Sequence, residues 1–81
     1  MVQIGLAQEK AVSGTVTDTG GMPLPGANVI IKGTSTGTQT DFDGNFTINV
    51  SEGEILQISY IGMKTAEVTV GASSTLSIQL E

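Results

Sequence analysis

From Ala11 onward the apolar residues recur at every second position, not at the three-to-four spacing of a helix face. Val12, Gly14 and Val16 alternate with Ser13, Thr15 and Thr17, which predicts a first strand with one face turned inward. Asp18 to Pro25 carries Gly20-Gly21 and Pro23-x-Pro25, a combination that blocks any regular element. Ala27, Val29 and Ile31 mark the inward face of a second strand. Thr34 to Thr40 reads as a short polar strand or extended edge, interrupted by Gly37. Asp43-Gly44 is a leading hairpin-turn dipeptide, and the alternating run Phe46, Ile48, Val50 follows it, so a hairpin is predicted there. After a turn at Ser51 to Glu54, Ile55 to Tyr60 is apolar on nearly both faces, as a central strand would be, and Gly62 ends it. Ala66, Val68 and Val70 form one more alternating run, and Leu76, Ile78 and Leu80 the last.

Six or seven short strands separated by turns, with no helical stretch, predict an all-β sandwich or barrel. The predicted inward set is Val12, Val16, Val29, Ile31, Phe46, Ile48, Leu56, Ile58, Tyr60, Val68, Val70, Leu76 and Ile78, enough for one thin core between two sheets. On this reading a strand after Leu80 is missing, as in a piece excised from a longer polypeptide.

The chain has 81 residues, which makes one small domain. At this size only about 60–65% of the unfolded surface is buried, and the net stability expected is ~4–8 kcal/mol. A deep catalytic cleft needs walls on several sides and has little room here. There is no His, Cys or Trp, so the usual general base, thiol nucleophile and zinc ligands are missing, and disulfide or redox chemistry is excluded. No pairing of Asp, Glu or Lys with a serine supplies a substitute, and no cofactor is implied. The net charge of −5, offset only by Lys10, Lys32 and Lys64, argues against nucleic acid and against anionic membrane surfaces. A surface rich in Gly, Ser and Thr but only 14% charged suits an exported or cell-surface β domain.

Residues 1–10 stand apart from the alternating region. Met1 to Ala7 is apolar apart from Gln3 and ends in Gly5-Leu6-Ala7, the small-x-small spacing that signal peptidase reads, before polar Gln8-Glu9-Lys10. The segment is expected to be a signal-peptide remnant or a flexible tail, with residues 11–81 as the folded domain. No stretch approaches the length of a membrane-spanning helix, so no direct insertion by this segment is expected.

Four runs carry a resemblance. Val12-Ser-Gly-Thr-Val-Thr-Asp, Pro23-Leu-Pro-Gly-Ala-Asn-Val-Ile-Ile-Lys-Gly-Thr and Gly37-Thr-Gln-Thr-Asp-Phe-Asp-Gly-Asn-Phe resemble the carboxypeptidase regulatory-like domain family. The later Leu56-Gln-Ile-Ser-Tyr-Ile-Gly-Met run is similar to the same family's penultimate segment, so the resemblance covers about Ala11 to Glu81. It implies a seven-stranded transthyretin-like (prealbumin-like) β-sandwich. The variant with Pro-Leu-Pro-Gly-Ala-Asn-Val and Ser-Tyr-Ile-Gly looks like the N-terminal extension of SusC-like, TonB-dependent outer-membrane receptors, which import glycans and other nutrients. That implies a non-catalytic module at the periplasmic face of the outer membrane, acting through protein partners in or near the uptake complex. Two alternatives stand beside it. A carbohydrate-binding module would need exposed aromatics, and only Phe42, Phe46 and Tyr60 are present, of which Phe42 alone is expected to look outward. The accessory domain of a secreted peptidase would share the fold in a different host.

Asp41-Phe42-Asp43-Gly44-Asn45 places oxygen ligands at alternate positions, and Glu52 falls at the twelfth position of a calcium loop. The strand pattern of Phe46 to Val50 between them favours a turn in which Asp caps backbone N–H groups and Gly44 takes a positive φ. No metal site is predicted. Gly26 is expected to admit a left-handed residue after the stiff Pro23-Leu24-Pro25 loop, and Gly62 to turn the chain after Tyr60. Lys32 near Asn49 or Glu54 raises an intramolecular isopeptide bond, against a solvated strand-end lysine that the spacing favours. Ile61 and Met63 are the candidate partner contacts, because burying Tyr60 turns Ile61 outward. The Thr34 to Thr40 edge is a candidate for strand addition by a partner or a second copy, as an edge-strand dimer.

Overall fold

The structure is a computed structural model that describes residues 9–81; the signal-remnant or tail reading of Met1 to Ala7 falls outside the described residues. Seven strands form: β1 (Lys10–Thr17), β2 (Asn28–Ile31), β3 (Gly37–Gln39), β4 (Asn45–Val50), β5 (Ile55–Ser59), β6 (Ala66–Thr69) and β7 (Thr75–Gln79). They make two sheets, one of three strands in the order β4-β1-β7 and one of four in the order β3-β2-β5-β6. This is the predicted all-β sandwich, with no helix among the described residues. The last strand, β7, ends at Gln79, and Leu80 after it is buried. β1 begins at Lys10, one residue before the expected domain boundary.

The period-two pattern sets which side chains enter the core. Along β4 the sequence Asn-Phe-Thr-Ile-Asn-Val buries Phe46, Ile48 and Val50 and exposes the three polar residues between them. β2 buries Val29 and Ile31, and β5, central between β2 and β6 as predicted, buries Leu56 and Ile58. Leu24, Ala27, Val50 and Leu80 join the core as well. Tyr60, Val68 and Leu76, predicted inward, are only half-buried against its margin. Their positions explain it. Tyr60 lies beyond the last β5 pairing, Ser59 opposite Asn28; Val68 and Leu76 lie on β6 and β7, each an outermost strand of its sheet.

The Asp43-Gly44 hairpin is corrected. β3 pairs with β2 and β4 pairs with β1, so the chain between β3 and β4 crosses from one sheet to the other. The turn is real, but it is a corner of the sandwich. Gly37 does not interrupt the edge element; it starts β3, where a β-carbon would lie 2.6 Å from the Val29 carbonyl oxygen. Lys32 reaches neither Asn49 nor Glu54. Its ammonium pairs with Glu67 at 3.0 Å, which removes the isopeptide geometry.

Thr40 closes the core at the crossover. It is buried, its hydroxyl donates to the Leu24 carbonyl, and it accepts from Ala27 N–H at 2.9 Å. Among the described residues no buried side-chain nitrogen or oxygen lacks a partner, as expected where an unpaired group would cost more than a bond returns.

A candidate interaction face at one end of the sandwich

The register places three loops at one end. Thr17 lies opposite Gln79, Thr15 opposite Asn45, and Asn28 opposite both Ser59 and Gln39. The β1–β2, β3–β4 and β5–β6 connections therefore all emerge where β7 finishes.

Two of these loops are built alike. In Asp18-Thr-Gly-Gly21 the Asp18 Oδ1 accepts from Gly20 N–H at 2.8 Å and Met22 N–H at 2.9 Å, while Gly21 N–H donates to the Asp18 carbonyl at 3.0 Å. In Asp41-Phe-Asp-Gly44 the Asp41 Oδ1 accepts from Asp43 N–H and Asn45 N–H, both at 2.9 Å, and Gly44 N–H donates to the Asp41 carbonyl at 3.0 Å. Each Asp holds the amides two and four residues on, the local bonding for which Asx turns are named. The capping predicted around Asp43 thus belongs to Asp41, and Asp43 contributes only its N–H. Gly44 takes a φ of 76°, and a β-carbon on it would lie 2.7 Å from the Val16 carbonyl oxygen, so the corner requires glycine.

The third loop is tighter. Met63 N–H donates to the Tyr60 carbonyl at 3.0 Å, and Gly62 has a φ of 80°, which fits a type II turn with glycine at its third position. Gly26, as predicted, is also left-handed, with a φ of 78°.

These turns set where apolar side chains point. Phe42 and Ile61 each occupy the second position of a tight turn, and they are 92% and 89% exposed. Met22, following the Asp18 turn, is 64% exposed. The fourth exposed large apolar residue among those described, Ile30, sits on the outer face of β2 instead. The 32–36, 51–54 and 70–74 loops at the opposite end expose none among the described residues. Met63 does not join this face. The Tyr60 turn folds it back against the core, so of the two predicted contacts Ile61 alone projects. Phe46 and Tyr60 do not present open rings, which leaves Phe42 as the only fully outward aromatic.

Both ends carry carboxylates, Glu52 and Glu54 in the 51–54 loop of the opposite end. Asp18, Asp41, Asp43 and Glu81 lie around the apolar tips with Lys64 as the one nearby cation. Lys64 N–H is bonded to the Glu81 carbonyl at 2.8 Å. The other two lysines are held elsewhere. Lys10 donates to the Gly71 and Ala72 carbonyls at 2.8 and 2.9 Å, and Lys32 is paired with Glu67. The Lys32 ammonium, and then the Gln57 amide, hold the Glu67 carboxyl below its ordinary range. No group of three acidic residues among those described is arranged to hold a metal ion.

Position in chain order explains what sequence reasoning missed. Met22, Phe42 and Ile61 are 20 residues or so apart, and only the topology brings their turns to one end. The repeated Asp-x-x-Gly was the available signal for the matched loops.

The CarboxypepD_reg-like domain family matches residues 12–81. The TonB-dependent receptor P3 of Formosa agariphila is 53% identical over 77 residues, covering 93% of this chain and 8% of the receptor. The TonB-dependent receptor SusC of Bacteroides thetaiotaomicron is 47% identical over 73 residues, covering 90% of this chain and 7% of the receptor. The chain thus spans less than a tenth of the length of these relatives. Fold, motifs and relatives agree, and the chain belongs to the carboxypeptidase regulatory-like domain family, in the form that SusC-like TonB-dependent receptors carry.

Proposed function

We propose that this chain is a non-catalytic accessory domain of a TonB-dependent outer-membrane nutrient receptor, placed at its periplasmic face and acting through protein–protein contacts. The receptor context is supported by relatives that carry the domain at about half identity. The observation that carries the contact role is the division of the surface. Met22, Phe42 and Ile61 stand exposed at one end, which also carries Asp18, Asp41 and Asp43, while the loops at the other end expose no large apolar residue among those described. Exposed apolar groups with a polar rim are what a docking face presents. Catalysis finds no support in a chain without His or Cys and with no acidic cluster among the described residues.

The test is made in the receptor that contains this domain. Phe42→Ser with Ile61→Ser removes the two most exposed tips, and Ile30→Ser removes an exposed apolar residue away from them. Uptake of the receptor's nutrient is measured in cells with equal receptor in the outer membrane. The double variant is expected to lose uptake several-fold, by the usual cost of truncating an interface anchor, and Ile30→Ser to retain it. Unimpaired uptake in the double variant would refute the contact role.

A further inference from the structure

The first and last strands lie side by side and run the same way. β1 and β7 pair in parallel from Ser13 opposite Thr75 to Thr17 opposite Gln79, whereas the other pairs of named strands are antiparallel. Ser13 N–H donates to the Ser74 carbonyl at 2.9 Å at one limit of this ladder, and Leu80 N–H donates to the Thr17 carbonyl at 2.8 Å at the other. The chain therefore comes into β1 at one end of the sandwich and leaves β7 at the opposite end.

That geometry decides how the domain meets a pull. Tension on the flanking chain draws the Lys10 end and the Glu81 end apart along the strand axes. β1 and β7 are then made to slide past each other. Parallel ladders have evenly spaced bonds that cross between the strands, so a sliding load falls on all of them together. Had both ends emerged on the same side, the load would open the ladder one bond at a time.

The side chains add resistance. Val12 and Val16 of β1, and Ile78 of β7 with Leu80 after it, are buried, and sliding must drag them through a close-packed interior. β1 is also held on its other side by β4, from Lys10 opposite Val50 to Thr15 opposite Asn45. Among the described residues β7 has β1 as its only partner strand, so the β1–β7 ladder is the step that must yield.

We propose that this domain is a tension-bearing link, which stays folded when the chain running through it is pulled end to end. The relatives are more than ten times longer than the part matched here, so in such proteins the domain is one link in a long polypeptide. The inference rests on strand direction and on the packing beneath the β1–β7 ladder, and goes beyond the contact role of the apolar end.

The chain contains no cysteine, so two introduced thiols accept pulling handles at unique sites. Lys10→Cys with Glu81→Cys loads the β1–β7 ladder in sliding. Lys10→Cys with Ser74→Cys places both handles at the same end and opens that ladder from its start. Both proteins lose the same Lys10 contacts, and their melting temperatures are expected to agree. In single-molecule pulling at one loading rate, the unfolding force is expected to be about two-fold or more higher in the first geometry. Equal forces, or a weaker response end to end, would overturn the proposal.

Discussion

The Phe46 ring of β4 lies directly over Gly14 of β1. The two residues face each other in register, and a β-carbon on Gly14 would sit 2.5 Å from two carbons of the ring. The glycine gives up strand propensity so that an aromatic side chain can lie flat across the neighbouring backbone. One residue provides the floor, the other fills the space above it.

Gly14→Ala forces the ring off this floor. Overpacking of this kind costs about 1–3 kcal/mol, and Phe46→Ala, which empties the same space, about 3–5 kcal/mol. Chemical denaturation of each variant checks both. Wild-type stability in either would show that the ring and the glycine are not packed as described.

Thr40→Val keeps the shape of a buried side chain and removes its hydroxyl. Ala27 N–H loses its partner, and so does one lone pair of the Leu24 carbonyl. The expected cost is about 1–3 kcal/mol, the usual penalty for leaving a buried polar group unpaired. Thr40→Ser retains the hydroxyl and is expected to recover most of it. Equal stabilities for the Val and Ser variants, measured by urea unfolding, would remove the hydrogen bonds from the account.

Glu67 adds a pH dependence. Its carboxyl is held below the ordinary range by the Lys32 ammonium and the Gln57 amide. A group titrating lower in the folded than in the unfolded state favours folding once pH exceeds the unfolded value, and that contribution fades as pH falls through the folded one. Glu67→Gln is therefore expected to melt below the wild type at neutral pH and to converge with it on acidification below about pH 4, near the ordinary carboxylate value. The difference is small, because both side chains are half exposed, and it shrinks with added salt. A constant gap at all pH values would contradict the pairing.

Calcium is expected to leave the melting temperature unchanged. Asp41 Oδ1 already accepts two backbone N–H groups, and nearby acidic residues do not converge on it. A rise of several degrees at millimolar calcium would reveal a site, since an ion that binds only the folded state stabilises it.

Much of this architecture was legible because most strands bury one face. Val12, Val16, Phe46, Ile48 and Ile78 follow from alternation alone, and β5 reads as central because few polar residues interrupt it. Local turn chemistry gave Gly26, Gly44 and Gly62 their conformations. It could not say which sheet the next strand joins, so the Asp43-Gly44 corner looked like a hairpin. Leu24 enters the core from an irregular loop and carries no period at all. Ile61 could be placed outward by parity, but its company with Phe42 and Met22 depends on three loops meeting at one end. Met63 was misplaced because a four-residue turn reverses the chain and returns its side chain to the core.

The two sheets also differ in how their strands are connected. In the four-stranded sheet β2 and β3 are sequence neighbours, as are β5 and β6, so each forms a pair across a short loop. The three-stranded sheet contains no such neighbours. β1, made first, has β4 and β7 as its partners, and β7 is made last. Local pairs form early because little chain must be closed, and distant ones wait. The hairpins of the larger sheet are thus the natural starting points of folding. β1 gains its second partner only once β7 is available, so its completion is expected late in assembly of the domain.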